Sequence, residues 1–213
     1  MISVWQEFKD NIEQVKKIGA VYNQLVSTSP LLKDELTDLL RTQLVNSISA
    51  FDRMLYEYVR IGLLRQLQGL ISLENRTKGF AIDSDSYLAL ISLGSSPQDL
   101  IEKERILENR IRLVLKTMTF QDPDKIKDAL SFIWNEEHKW QKLSLGMGVP
   151  ERDLTSQLKL YVERRNQIVH EADYDKTICK RRHMDSSVAQ NCIDFIYSLA
   201  RQISIDAIGL SGI

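Results

Sequence analysis

LLKDELTDLLRTQLVNSISAFDRMLYEYVRIGLLRQLQGL, residues 31–70, is the longest periodic stretch of the chain. Leu36, Leu40, Ile48, Phe51, Leu55 and Val59 recur along it at steps that keep to one helical face. The spacing predicts a helix from Leu31 to about Leu70, bent or ended near Gly62 or Gly69. Upstream, Val4, Phe8, Ile12, Val15, Gly19, Tyr22 and Val26 trace a second face over residues 3–26. Ser27-Thr28-Ser29-Pro30 separates the two, because a proline disfavours helix at the residue before it and suits the first turn of the next.

Downstream, residues 72–98 are rich in Ser, Gly, Asp and Asn and read as an insert with one short helix. A charged helix follows from about Pro97 to Met118, using Ile101, Ile111, Val114 and Met118, with its charges paired along a solvated face. Asp122-Pro123 opens another, to about Leu145, that carries Ile126, Leu130, Ile133, Trp134 and Trp140. In it, Glu136-Glu137-His138-Lys139 form an exposed helical face with one Trp turned inward. Gly146-Met147-Gly148-Val149-Pro150 is a stop. The last two helices span about Glu151–Ala172 and Ser186–Ile208, joined by a polar, basic connection. With 9 Gly and 4 Pro in 213 residues, tight turns between many short strands are disfavoured. The expectation is an all-α, antiparallel bundle of four to six helices, a single domain over residues 1–213 with its insert.

Composition excludes several classes of function. With 28 basic against 29 acidic side chains the net charge is −1, so nucleic acid could be held only by a local patch. No run approaches the ~18 apolar residues of a membrane span, and the charged N-terminus is no secretory segment. Cys179 and Cys192 have no metal-ligand spacing and no neighbouring histidine to activate them, so the reading is a reduced, cytoplasmic protein without metal or cofactor. Trp5, Trp134, Tyr56 and Tyr58 fit packing better than base stacking, and His183 fits a surface position.

One helix is anomalous. In LTSQLKLYVERRNQIVHEADY, residues 154–174, the side chains of Leu154, Leu158, Tyr161, Ile168, Val169 and Ala172 share one direction, and Arg165 points along the middle of that stripe. A guanidinium stays charged, so Arg165 must meet an anion: a carboxylate such as Asp52 or Glu57, or a ligand phosphate. Asn166 and His170 are neighbours at i, i+4 on one flank. Imidazole takes or gives a proton near neutrality, and guanidinium matches phosphate oxygens with a planar fork. The set suits phosphodiester chemistry. A core ion pair and a helix-end histidine would account for the same spacing.

Arg165-Asn166-Gln167-Ile168-Val169-His170 resembles the R-x4-6-H motif of the HEPN superfamily, and Glu163 to Glu171 is similar to the stand-alone prokaryotic HEPN ribonucleases. The place of the motif at the end of the penultimate helix agrees, and residues 44–55 are similar to the second bundle helix of that family. The resemblance covers roughly residues 35–70 and 150–205. It implies a metal-independent endoribonuclease, with the motif helices of a homodimer facing each other across a composite cleft. His170 would then be the general acid/base for attack of the ribose 2′-OH, Arg165 would polarise the phosphate, and Asn166 would orient the imidazole or the RNA. The products would end in a 2′,3′-cyclic phosphate and a 5′-OH. A toxin or antiviral-defence role, checked by an antitoxin or other regulatory partner, is implied with it. One branch of the family carries a modifiable Tyr two residues after the His; here Ala172 stands there. An inactive HEPN-type docking module and a nucleotide- or RNA-binding sensor are the alternatives. Arg164 and the basic run Lys176, Lys180, Arg181 and Arg182 read either as RNA-phosphate contacts or as a solvated loop.

Overall fold

The computed structural model describes residues 1–116, 118, 120, 122–175 and 177–212. Among the described residues there are eight helices: α1 (Ile2–Thr28), α2 (Thr37–Leu67), α3 (Ser84–Ser92), α4 (Pro97–Leu115), α5 (Pro123–Leu130), α6 (Lys139–Met147), α7 (Glu151–Glu171) and α8 (Ser186–Asp206). A two-residue hairpin, β1 (Tyr174–Asp175) against β2 (Lys180–Arg181), joins α7 to α8. The fold is all-α.

Cross-contacts fix the directions. Arg53 lies 3.5 Å from Glu7, and Gln43 Nε2 donates to the Val15 carbonyl, so α1 runs antiparallel to α2. Arg41 near the start of α2 meets Asp173 just past the end of α7, so those two are antiparallel as well. Ser47 touches Cys192 and Tyr58 touches Ser204, which runs α8 parallel to α2. Successive long helices α1, α2, α7 and α8 therefore alternate in direction, as a four-helix bundle requires. The long stretch that opens the reading is the central element, packed on α1, α4, α5, α7 and α8. Leu44, Ile48, Phe51, Leu55 and Tyr58 are fully buried there, in one core cluster with Phe8, Ile12, Leu158 and Ile196. Trp5, Tyr58 and Trp134 are buried as packing residues, and Tyr56 is half-buried against Phe120.

The structure corrects five local expectations. Pro30–Leu32 form a single 3-10 turn and α2 starts only at Thr37; Leu31 is 95% exposed, and the first fully buried side chain after it is Leu40. Gly62 neither bends nor ends α2; it gives Ile133 room to approach, and a Cβ there would stand 2.3 Å from Ile133 Cγ2. The helix ends at Leu67, beside the second of the two glycines expected to mark its end, Gly69, whose φ of 73° is left-handed. On α4, Ile111 is buried as expected, together with Leu107 and Leu115, but Ile101 is 70% exposed and does not belong to the buried face.

The helix expected over residues 122–145 is two helices with a break across 131–138. No Gly or Pro marks it. In a continuous helix the Phe132 carbonyl would accept from the fourth residue on. Here it accepts from Gln66 Nε2 at 2.8 Å and Thr77 Oγ1 at 3.0 Å, side chains far away in the chain. Lys139, expected on an exposed face, is 4% exposed, with its Nζ on the Glu136 carbonyl and near the Trp134 ring. Burial pushes its amine below the ordinary lysine value. Finally, the connection after α7 contains the short hairpin, which no alternation announced.

Candidate functional site: the end of helix α7

Helix α7 begins after Pro150, with Glu151 and Asp153 in its first turn, where acidic side chains offset the positive end of the helix. It buries Leu154, Leu158 and Val162. The same side of the helix continues through Arg165 to Val169, at steps of three and four, but Val169 is 47% exposed. The apolar stripe thus outruns the bundle's own core.

The helix stops without glycine. Ala172 and Asp173 both take left-handed backbone, with φ of 50° and 62°, and the Asp173 N–H returns to the Gln167 carbonyl. This termination turns Asp173 inward, where it is fully buried. Its Oδ2 accepts hydrogen bonds from Arg41 Nε at 2.5 Å and Arg164 Nη2 at 3.0 Å, and its Oδ1 is ion-paired with Arg164 Nη1 at 2.5 Å. Arg41, 4% exposed, also donates to the Arg182 carbonyl and to Thr37 Oγ1. Arg164 also donates to the His183 carbonyl. Burial lowers the affinity of Arg164 for its proton; Asp173 opposes this and Arg41 and Arg182 add to it. One carboxylate and two guanidiniums thereby tie α2, the end of α7 and the segment leading into α8 together.

Arg165, next in the chain, has a different environment. Its Nη1 donates to Asn166 Oδ1 at 3.0 Å, and its Nε is buried without a hydrogen bond. Among the described residues no carboxylate pairs with it. Of the two expected partners, Glu57 pairs with Arg53 and Arg60, and Asp52 Oδ1 accepts the Phe120 N–H. His170 is exposed one turn beyond Asn166 on the same flank. The structure therefore brings Arg165, Asn166 and His170 to one end of the bundle.

The residues expected to hold RNA phosphates are placed differently from one another. Arg164 is taken up by Asp173. Arg181 pairs with Asp38 at 2.6 Å, and that bond draws the Asp38 carboxyl below its ordinary range. Arg182 donates to the Tyr174 carbonyl and approaches Glu171 at 3.7 Å. Lys180 is exposed on β2, and Lys176 lies outside the described residues. His183 is exposed and bonds Asp185, as a surface histidine would.

Sequence reasoning missed Arg41 and Asp173. A signal for Arg41 was present: it precedes Leu44, Ile48, Phe51 and Leu55 by helical steps, an arginine on an apolar stripe like Arg165. Nothing local marks Asp173. Among the described residues no three His, Cys, Asp or Glu side chains converge to hold a metal ion, and no helix is long and apolar enough to cross a membrane. Compared with protein-family models, with curated proteins and with solved structures, the chain matches none.

Proposed function

We propose that the protein is a metal-independent endoribonuclease of the HEPN type, working as a homodimer in which the ends of two α7 helices face each other. The observation that carries this reading is Arg165: a half-buried guanidinium with an unbonded Nε, no carboxylate partner among the described residues, and Asn166 and an exposed His170 beside it. A cation so placed is suited to an anion from outside the protomer. In the reaction, His170 takes the proton of a ribose 2′-OH as O2′ attacks the adjacent phosphorus. The P–O5′ bond breaks, O5′ takes a proton from water, His170 later returns its own proton to solvent, and a 2′,3′-cyclic phosphate remains. Arg165 offsets the charge that develops on the phosphate oxygens, and Asn166 holds the guanidinium in place. Val169, with Tyr174 at 48% and Ile178 at 62% exposure, supplies apolar surface near the motif for the second copy to cover. Lys180, exposed on β2, is placed to reach RNA beyond the cleaved bond, whereas Arg181 and Arg182 have internal partners. A toxin or defence role, held in check by a partner protein, fits such an activity.

The test is cleavage of labelled single-stranded RNA in excess EDTA by wild type, His170→Ala and Arg165→Ala. Cyclic-phosphate ends from wild type alone are the expected result. No cleavage by wild type would favour a docking or sensing module, and undiminished cleavage by His170→Ala would remove His170 from the mechanism.

A further inference from the structure

A second site is built where the helix expected over 122–145 breaks. The Phe132 carbonyl released by that break is held by Gln66 and Thr77, which are 2% and 3% exposed. Gln66 Oε1 in turn accepts the Glu74 N–H at 2.8 Å, and Arg110 Nε of α4 donates to the Ala81 carbonyl at 3.0 Å. Residues 74–81 of the insert are thus fastened to α2, to the break and to α4. Between them lies a cleft of about 500 Å³, lined by Asn75, Arg76, Phe80, Ala81, Arg110 and Phe132. That volume is ordinary for a small-molecule site.

Its chemistry is cationic and aromatic. The Arg76 guanidinium lies 5.1 Å from the centre of the Phe132 ring, and among the described residues it has no hydrogen bond and no carboxylate. Arg110 has one carboxylate nearby, Asp83 at 3.5 Å. Two guanidiniums against one carboxylate leave local positive charge in a chain whose net charge is −1. Phe80, half-buried and edge-on to Phe132, offers a ring wall beside them.

We infer that this cleft binds a small organic anion with a flat ring, its phosphate or carboxylate on Arg76 and Arg110 and its ring against Phe80. The site is separate from Arg165 and does not depend on the ribonuclease reading. Guanidinium forks bind such anions bidentately, and a fastened loop loses little freedom when the ligand arrives.

The experiment is calorimetric titration of the full chain at low salt with AMP, with adenosine (ring only) and inorganic phosphate (anion only) as partial probes. AMP is expected to bind more tightly than either part, and Arg76→Ala, an exposed position that leaves the loop bonds intact, to weaken AMP by about tenfold without changing adenosine. Phe80→Leu should weaken AMP and adenosine together. Absence of AMP binding at millimolar concentration overturns the proposal. So does phosphate binding as tightly as AMP, or AMP binding that survives Arg76→Ala and is lost in Arg165→Ala.

Discussion

Asp173→Asn isolates the charge on which the end of α7 depends. Asparagine fills nearly the same volume and tolerates left-handed backbone, so the φ of 62° adds no strain to the variant. The change leaves the Arg41 and Arg164 side chains, 5% and 15% exposed, facing an amide and each other. Removing one partner of a buried ion pair costs about 3–5 kcal/mol, because a charge stays in the interior uncompensated. Asp38, 3.4 Å from Arg41, offsets part of this, but at 61% exposure its pull is screened. The low end, about 3 kcal/mol, is therefore expected. For a chain of this length that is a fall in Tm of roughly 6–12 °C, out of a total stability of order 5–15 kcal/mol. Chemical denaturation followed by circular dichroism at unchanged m-value measures it directly. In an Arg164→Met background the same substitution should cost less, since one of the two stranded charges is already gone. A stability of Asp173→Asn within about 0.5 kcal/mol of wild type would refute the assignment of Asp173 as the counter-charge.

Four further outcomes follow from the same geometry. Ala172→Gly should stabilise by about 0.5–1 kcal/mol, the relief of left-handed strain less the added freedom of the unfolded chain, and a lower Tm would show that the Ala172 methyl packs on something. In the native protein an aromatic disulfide reagent should titrate Cys179 alone, since Cys192 is fully buried with its thiol pushed up to about 12; denaturant should release the second thiol. Asp185 caps α8, and its carboxyl is drawn down by the Ser187 hydroxyl first, then the Val188 N–H and His183. A lowered folded value stabilises above the ordinary Asp value near ~4 and is lost as pH falls below it, so the Tm gap between wild type and Asp185→Ala should close on acidification. Arg164→Met should destabilise and Arg165→Met should not, and the reverse order in denaturation would exchange the roles given to the two arginines.

Elements whose ends carry their own chemistry were legible in the sequence to within about two residues. Helix α7 starts after Gly148 and Pro150, and α8 starts on the Asp185 cap. What stayed hidden was decided by distant partners. Nothing within residues 131–138 says that Phe132 leaves its helix; the reason is Gln66 and Thr77, which lie 66 and 55 residues away. The late start of α2 is of the same kind, since Leu31 and Leu32 look like helix until it is known that no surface covers them. Local pattern states where an apolar face exists, and packing decides how much of it is used.

The same division runs through the site. Arg41 and Arg165 carry one signal, a guanidinium on an apolar stripe, and it states only that an anion is required. For Arg41 the anion is Asp173, supplied by a helix end more than a hundred residues further along. Arg164 and Arg165 stand about 100° apart on α7, so Arg164 turns to that same carboxylate and Arg165 turns away from it. That one carboxylate already serves two cations. Among the described residues Arg165 is then left with a neutral amide for company, and its requirement for a negative charge passes to whatever meets the exposed end of the helix. His170 stands at that end, and under the proposed reading RNA would bring both, its phosphodiester the anion for Arg165 and the neighbouring 2′-OH the proton for His170.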